Sequence, residues 1–339
     1  MLAVPGFASL DAASASAQRP LSLAELGHWT GVVHDRVMPR GSRRLAASRL
    51  AAAYGQAYTT PSGEAVSVFE SSALPPDDAG NQSVANFIDG LVHGSEISRV
   101  QVYRAPYDEM TSICGADSDA CYFPSSEQLV IPSADPPDGV PLAEIIAHEY
   151  GHHGANNRSN PPWSAGIWGT KRWATYEQIC SRAAAGTAFP GDEGEHYMLN
   201  PAEAFAESYR QLNDDRGVTG SSLPWLIVDP SFQPDSTAES LLALDVTSPW
   251  HGAVVAAWRG SFARPRAAVQ RTVTPLADGT VVVRVSAPRG ATVSVAGSTG
   301  TPLGSSTSSI TTTICGVSPL TVRVVGAKRG TYRVTVTQA

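Results

Sequence analysis

His148-Glu149-Tyr150-Gly151-His152 decides how this chain is read. It lies in Pro141-Leu-Ala-Glu-Ile-Ile-Ala-His148-Glu149-Tyr-Gly-His152-His153-Gly154, where Leu142, Ile145, Ile146 and Ala147 have helical spacing and Gly154 is the expected stop. Histidines four apart on a helix stand one above the other, about 6 Å along the axis. Their imidazoles can therefore converge on one ion. Glu149 follows the first histidine, about 100° around the helix. From there it reaches a water on that ion without taking a coordination position. Two nitrogen donors with a carboxylate base beside them are what zinc-assisted hydrolysis requires.

A catalytic zinc usually takes a third protein ligand. The continuation H-E-x-x-H-x-x-G-x-x-H is excluded, because Ala155 and Arg158 stand where its glycine and histidine belong. The next candidates are Glu203 and Glu207 in Asn200-Pro201-Ala202-Glu203-Ala-Phe-Ala-Glu207-Ser-Tyr-Arg210. Asn200 is the expected N-cap and Pro201 the first helical residue. Glutamates four apart share a face and repel each other, so a solvated helix gains nothing from them. Glu203 on the metal and Glu207 behind a ligand histidine would explain both. Asn200-x-x-Glu203 is also a capping-box pattern, which would explain Glu203 alone. His196, in a Gly-rich loop, competes for the metal. His153, at i+5, points away from the His148/His152 face.

The H-E-x-x-H pair with a downstream helical E-x-x-x-E resembles the gluzincin branch of the zinc metallopeptidases. Residues 201–210 are similar to the ligand helix of the anthrax lethal factor-type peptidases. The resemblance covers about residues 141–210. It implies an α+β zincin-like catalytic domain, with His148, His152 and Glu203 as zinc ligands. It also implies Glu149 as general base, Glu207 supporting a ligand histidine, and a tyrosine, here Tyr197, assisting the transition state.

Outward from this centre the chain is uneven. Its net charge is −7 over 339 residues, yet residues 266–339 hold eight Lys/Arg against one acid, Asp278. That asymmetry predicts two modules. Strands are expected at 64–69, 99–103 and 127–132, with helices at 22–37, 42–54, 81–90 and 236–244. A further strand is expected at 223–228, and residues 155–195 read as loop. Alternating Thr/Val runs at 272–274, 280–285, 292–296, 309–313, 320–325 and 331–336 predict an all-β sandwich. The boundaries that follow are 18–264 for the catalytic domain and 266–339 for the sandwich. Residues 1–17 resemble a clipped secretion signal, with Ala15-Ser16-Ala17 as its cleavage site, or else an Ala/Ser-rich tail. Four cysteines suit an oxidising compartment. Cys114 and Cys121 flank a turn-forming insert, and Cys180 with Cys315 could join the modules.

The expected function is a secreted zinc endopeptidase acting on protein or peptide. No nucleic-acid partner and no transmembrane segment are expected. The basic β module offers a contact with the cell envelope. The rival readings are a non-catalytic zinc-binding surface protein and a zinc amidase acting on cell-wall peptide.

Overall fold

A computed structural model describes residues 36–39, 53–116, 118–137, 139–225 and 227–339. The expected signal segment and the helices at 22–37 and 42–54 lie outside these, apart from their ends. There Val37 forms a parallel bridge with Tyr122, and Tyr54 opens a strand rather than closing a helix.

The first module is α+β. Its sheet has strands β1 (Tyr54–Thr59), β2 (Ala65–Glu70), β3 (Gln101–Ala105), β4 (Cys121–Phe123) and β5 (Gln128–Pro132) in the order β1-β2-β3-β5-β4. β2, β3 and β5 run parallel, whereas β1 and β4 are antiparallel to their neighbours. Val66, Val68, Val102, Leu129 and Ile131 point from this sheet into the core. Helix α1 (Asp78–Gly90) starts three residues before the sequence suggests, because Asp77 caps it by accepting from the Gly80 amide. Asn81 is instead buried, accepting from Arg104 Nη1 at 2.8 Å. Helix α2 (Tyr107–Cys114) leads into the loop closed by the Cys114–Cys121 disulfide.

Helix α3 (Leu142–Asn156) carries the two histidines and passes through Gly154 without stopping. One glycine costs a helix only about 1 kcal/mol. The end comes at Asn157, whose side chain donates to the His153 carbonyl at 3.0 Å. The stretch expected as loop contains a two-stranded ribbon, β6 (Ser159–Asn160) and β7 (Trp163–Ser164). It also contains short helices α4 (Ala165–Trp168), α5 (Lys171–Tyr176) and α6 (Ile179–Ala184). Trp173 is fully buried edge-on to Phe205, and Trp163 stacks on Trp168. Helix α7 (Pro201–Asp215) carries the two glutamates, and α8 (Ser236–Thr247) ends the module. Residues 223–228 form no strand among the described residues. Pro224 has no amide to donate, and Trp225 Nε1 turns back onto the Val228 carbonyl at 2.9 Å.

The sandwich begins at Ala253, not at 266. Strand β8 (Ala253–Phe262) pairs along its whole length with the last strand, β15 (Gly330–Gln338). Between them come β9 (Ala268–Val273), β10 (Gly279–Ser286), β11 (Thr292–Ala296), β12 (Pro302–Ser306), β13 (Ser309–Ile314) and β14 (Leu320–Val325). The two antiparallel sheets are β13-β10-β15-β8 and β12-β11-β14-β9. Val281, Val283 and Val334 of one sheet meet Val293, Val322 and Val324 of the other. The sequence conceals β8 because aromatic and small residues replace the Thr/Val alternation there.

The sandwich is fastened to the first module at one end. Cys180 and Cys315 are disulfide-bonded, Asp278 N donates to Thr175 Oγ1 at 3.0 Å, and Thr280 N donates to the Pro161 carbonyl at 3.3 Å. Gly279, at φ +99°, brings its backbone so close that a Cβ there would lie 2.3 Å from the Pro161 oxygen. By loop length the Cys180–Cys315 bridge, 135 residues apart, removes about 5 kcal/mol of chain entropy from the unfolded state.

Candidate metal centre

The two histidines and two glutamates meet because α3 and α7 touch backbone to backbone. Gly151, between the histidines, makes this approach possible: a Cβ there would lie 2.9 Å from Ala206 Cα and 3.1 Å from Tyr209 Cβ. Ala206 keeps the facing side of α7 equally low. Small residues at this crossing are a signal the sequence contains, and the reading from motifs alone passes over them.

Among the described residues, His148, His152 and Glu203 form the one group of three whose ligand atoms lie within 4.8 Å of one another, and all three are buried. Glu203 Oε2 lies 3.4 Å from His148 Nε2 and 3.3 Å from His152 Nε2. Direct hydrogen bonds would normally be shorter, near 2.9 Å. Atoms about 2.0–2.1 Å from a shared tetrahedral centre are instead roughly 3.3–3.4 Å apart. Glu203 Oε1 is buried with no hydrogen-bond partner. A closed carboxylate–imidazole network would leave that oxygen unsatisfied, whereas a cation beside the carboxylate offsets its burial. Nitrogen, nitrogen and oxygen donors suit zinc. The residues present therefore fit the ion.

Asn200 caps α7 by accepting from Ala202 N at 3.1 Å. Its own amide bonds the Tyr197 carbonyl, so the capping box does not form and Glu203 is left for the cluster. Glu207, one turn further on, lies 3.3 Å from His148 Nδ1. Accepting that proton fixes the tautomer and leaves Nε2 as a lone pair facing Glu203. Glu207 is itself gripped by Arg210, with Nε and Nη2 each 2.8 Å from its oxygens. Burial opposes ionisation of this carboxyl, but the Arg210 guanidinium and His148 outweigh it and hold its pKa down at about 2. Arg210 Nη1 also donates to Glu144 on α3 at 3.0 Å, tying α3 and α7 together.

Glu149 is fully buried and lines a small cavity of about 20 Å³ with His148, Asp119, Val140 and Leu223. His152 lines a separate groove of about 300 Å³ walled by Tyr122, Asn156, Gly191 and Glu193. Val37 and Met38 border that groove too, because Arg36 and Met38 hydrogen-bond both backbone groups of Tyr122 in edge strand β4. Tyr197 lies in a 3₁₀ turn just before α7, and its hydroxyl donates to Glu203 Oε2 at 3.1 Å.

Neither competing histidine joins the cluster. His196 stacks on Phe189 and lies 2.8 Å from Asp192 through Nδ1. His153 faces the Glu96 carbonyl and the Tyr122 hydroxyl on the opposite side of α3. Burial pushes its pKa down to about 4, so it stays neutral. Two substitutions follow from this arrangement. Glu207→Ala should weaken zinc binding by about 10–100-fold without abolishing it, the usual cost of losing the group that orients a ligand histidine. His196→Ala should keep its zinc. Competition with a chromophoric chelator measures both.

The chain matches no protein-family model and no curated protein. Among solved structures it is similar to Aeromonas hydrophila PliG, a periplasmic lysozyme inhibitor of g-type lysozyme, at 16% identity. The match covers 26% of this chain and 87% of that one, with TM-score 0.22. Salmonella Typhimurium PliG, another periplasmic inhibitor of g-type lysozyme, gives 18% identity, 24% and 84% coverage and TM-score 0.19. Similarity at this level carries no inference about either module. Both disulfides are formed, and no described helix is long and apolar enough to cross a membrane.

Proposed function

We propose that this chain is a secreted zinc-dependent endopeptidase with a zincin-like catalytic domain of gluzincin type. The observation that carries the reading is the buried His148–His152–Glu203 cluster, spaced for one tetrahedral ion, with Glu149 beside it. A zinc ion held there supplies Lewis-acid chemistry, polarising a carbonyl and bringing the pKa of water towards neutrality.

The chain's own residues do the rest. Glu149 takes a proton from the attacking water and delivers it to the leaving amine. Its burial among Val140, Leu223 and His148 keeps bulk water from competing for that proton. Tyr197, whose hydroxyl reaches the cluster, donates to charge developing on the carbonyl oxygen. Glu207 and Arg210 keep the His148 ring in one orientation. The small cavity beside Glu149 has room for about one water, and the groove beside His152 is large enough to take part of a peptide. The disulfides favour an oxidising compartment, in keeping with secretion.

The test is a screen of the pure protein on casein and on peptidoglycan, with zinc analysis and chelator controls. Chelator-sensitive casein cleavage is the expected result. Release of peptide from peptidoglycan alone would move the reading to an amidase. Bound zinc with neither activity would leave a binding protein.

A further inference from the structure

The sandwich is electrically one-sided, and its register shows where the charge collects. Residues 253–339 contain nine arginines and one lysine against a single acid, Asp278. That acid is buried at the junction, accepting from the Gly316 amide. The outer surface of the sandwich therefore carries no side-chain carboxylate. β10 starts at the junction with Gly279 and ends at Ser286, about 23 Å away at strand rise. At the far ends of the strands, three loops come together. Arg266 N donates to the Gly326 carbonyl at 2.7 Å and Gly326 N to the Ala267 carbonyl at 2.9 Å, joining loop 263–267 to loop 326–329. Pro288 packs against Gly330, and Gly290 against Ala327, bringing in loop 287–291. These loops expose Arg264, Arg266, Arg289, Lys328 and Arg329.

The adjoining face of sheet β13-β10-β15-β8 extends the patch. Arg333 stands directly opposite Arg259, and Arg284 lies on the next strand; all three are exposed. Like charges directly opposed across strands cost stability. No ion pair relieves Arg259, Arg284 or Arg333 among the described residues, and an anionic ligand would.

We infer that this distal tip and face form a binding surface for an acidic glycan, which holds the protein by the end remote from the junction with the first module. The occupant follows from the chemistry. Arginine forks bind carboxylate and phosphate groups through two parallel hydrogen bonds. The three loops contain no aromatic residue, so nucleic-acid bases have nothing to stack on. They also lack the large apolar side chains that anchor a protein in a bilayer. Exposed Ser261, Ser286 and Thr331 between the arginines offer hydroxyls to sugar hydroxyls. The inference does not depend on the peptidase reading and is tested without it.

The probe is polygalacturonate, a polymer of carboxylate-bearing sugars, bound by the full-length protein over a range of NaCl concentrations. Wild type should bind at 0.1 M NaCl and be released as salt rises. Arg289→Gln/Arg329→Gln should lose about ten-fold in affinity and show a shallower salt slope. The control Arg271→Gln/Arg323→Gln removes the same charge from β9 and β14 of the other sheet, and should stay within about two-fold. Unchanged thermal unfolding establishes that each variant folds. If the tip pair fails this check, Arg266→Gln/Lys328→Gln replaces it. Three outcomes would overturn the inference: no binding by wild type, equal losses in tip and control variants, or tighter retention of duplex DNA than of the glycan at matched charge and salt.

Discussion

Glu149→Gln should leave zinc near one per chain while proteolysis falls by at least about 10²–10⁴-fold, the range supplied by a positioned general base. Glutamine keeps the size and shape of the side chain, so the fully buried pocket it fills should not rearrange. It cannot accept a proton from water. The metal should remain because Glu149 lies about 100° around α3 from His148 and is absent from the cluster of His148, His152 and Glu203. Metal analysis and casein cleavage on the same preparation separate the two roles. Loss of zinc would mean that Glu149 is a ligand. Retained activity would remove proton transfer by Glu149 from the mechanism.

The site was more legible in sequence than the fold around it, and the reason is local geometry. H-E-x-x-H and E-x-x-x-E each define a helix face within one turn, so their spacing alone places donors on a common side. What remained was whether the two faces meet. That depends on Gly151 against Ala206, a contact between residues 55 apart that neither motif encodes. The choice between capping and coordination for Glu203 was equally hidden, because the Asn200 amide could have gone to that side chain or to the Tyr197 carbonyl. In the fold, regular Thr/Val alternation identified six strands of the sandwich. β8 and β12 escaped because Ala253–Phe262 and Pro302–Ser306 are set by pairing partners distant in sequence or by a register shift. The short helices at 165–184 are held by tertiary contacts such as buried Trp173 and the amides of Arg172 and Trp173 on Asp245, not by a pattern of their own.

Glu203→Ala should lose zinc and activity together, the largest metal effect of any single acid in the chain. The carboxylate supplies the oxygen donor of the cluster, and two histidines alone leave zinc short of the three protein ligands a catalytic site uses. Alanine keeps α7 intact, because Asn200 caps it through Ala202 N and Pro201 occupies the first helical position whichever residue stands at 203. The helix should therefore survive, and the apo protein should unfold near the wild-type apo temperature, because removing a buried carboxylate with one unsatisfied oxygen is offset by the Tyr197 hydroxyl losing its acceptor. That combination separates a ligand from a structural residue. A structural glutamate would cost apo stability, whereas a ligand costs only the stabilisation added by zinc. Removing Glu207 instead leaves all three donors in place and should retain measurable zinc. Retention of stoichiometric zinc by Glu203→Ala, with loss in Glu207→Ala, would exchange the roles of the two glutamates and require α7 to turn so that its second carboxylate, not its first, faces the histidines.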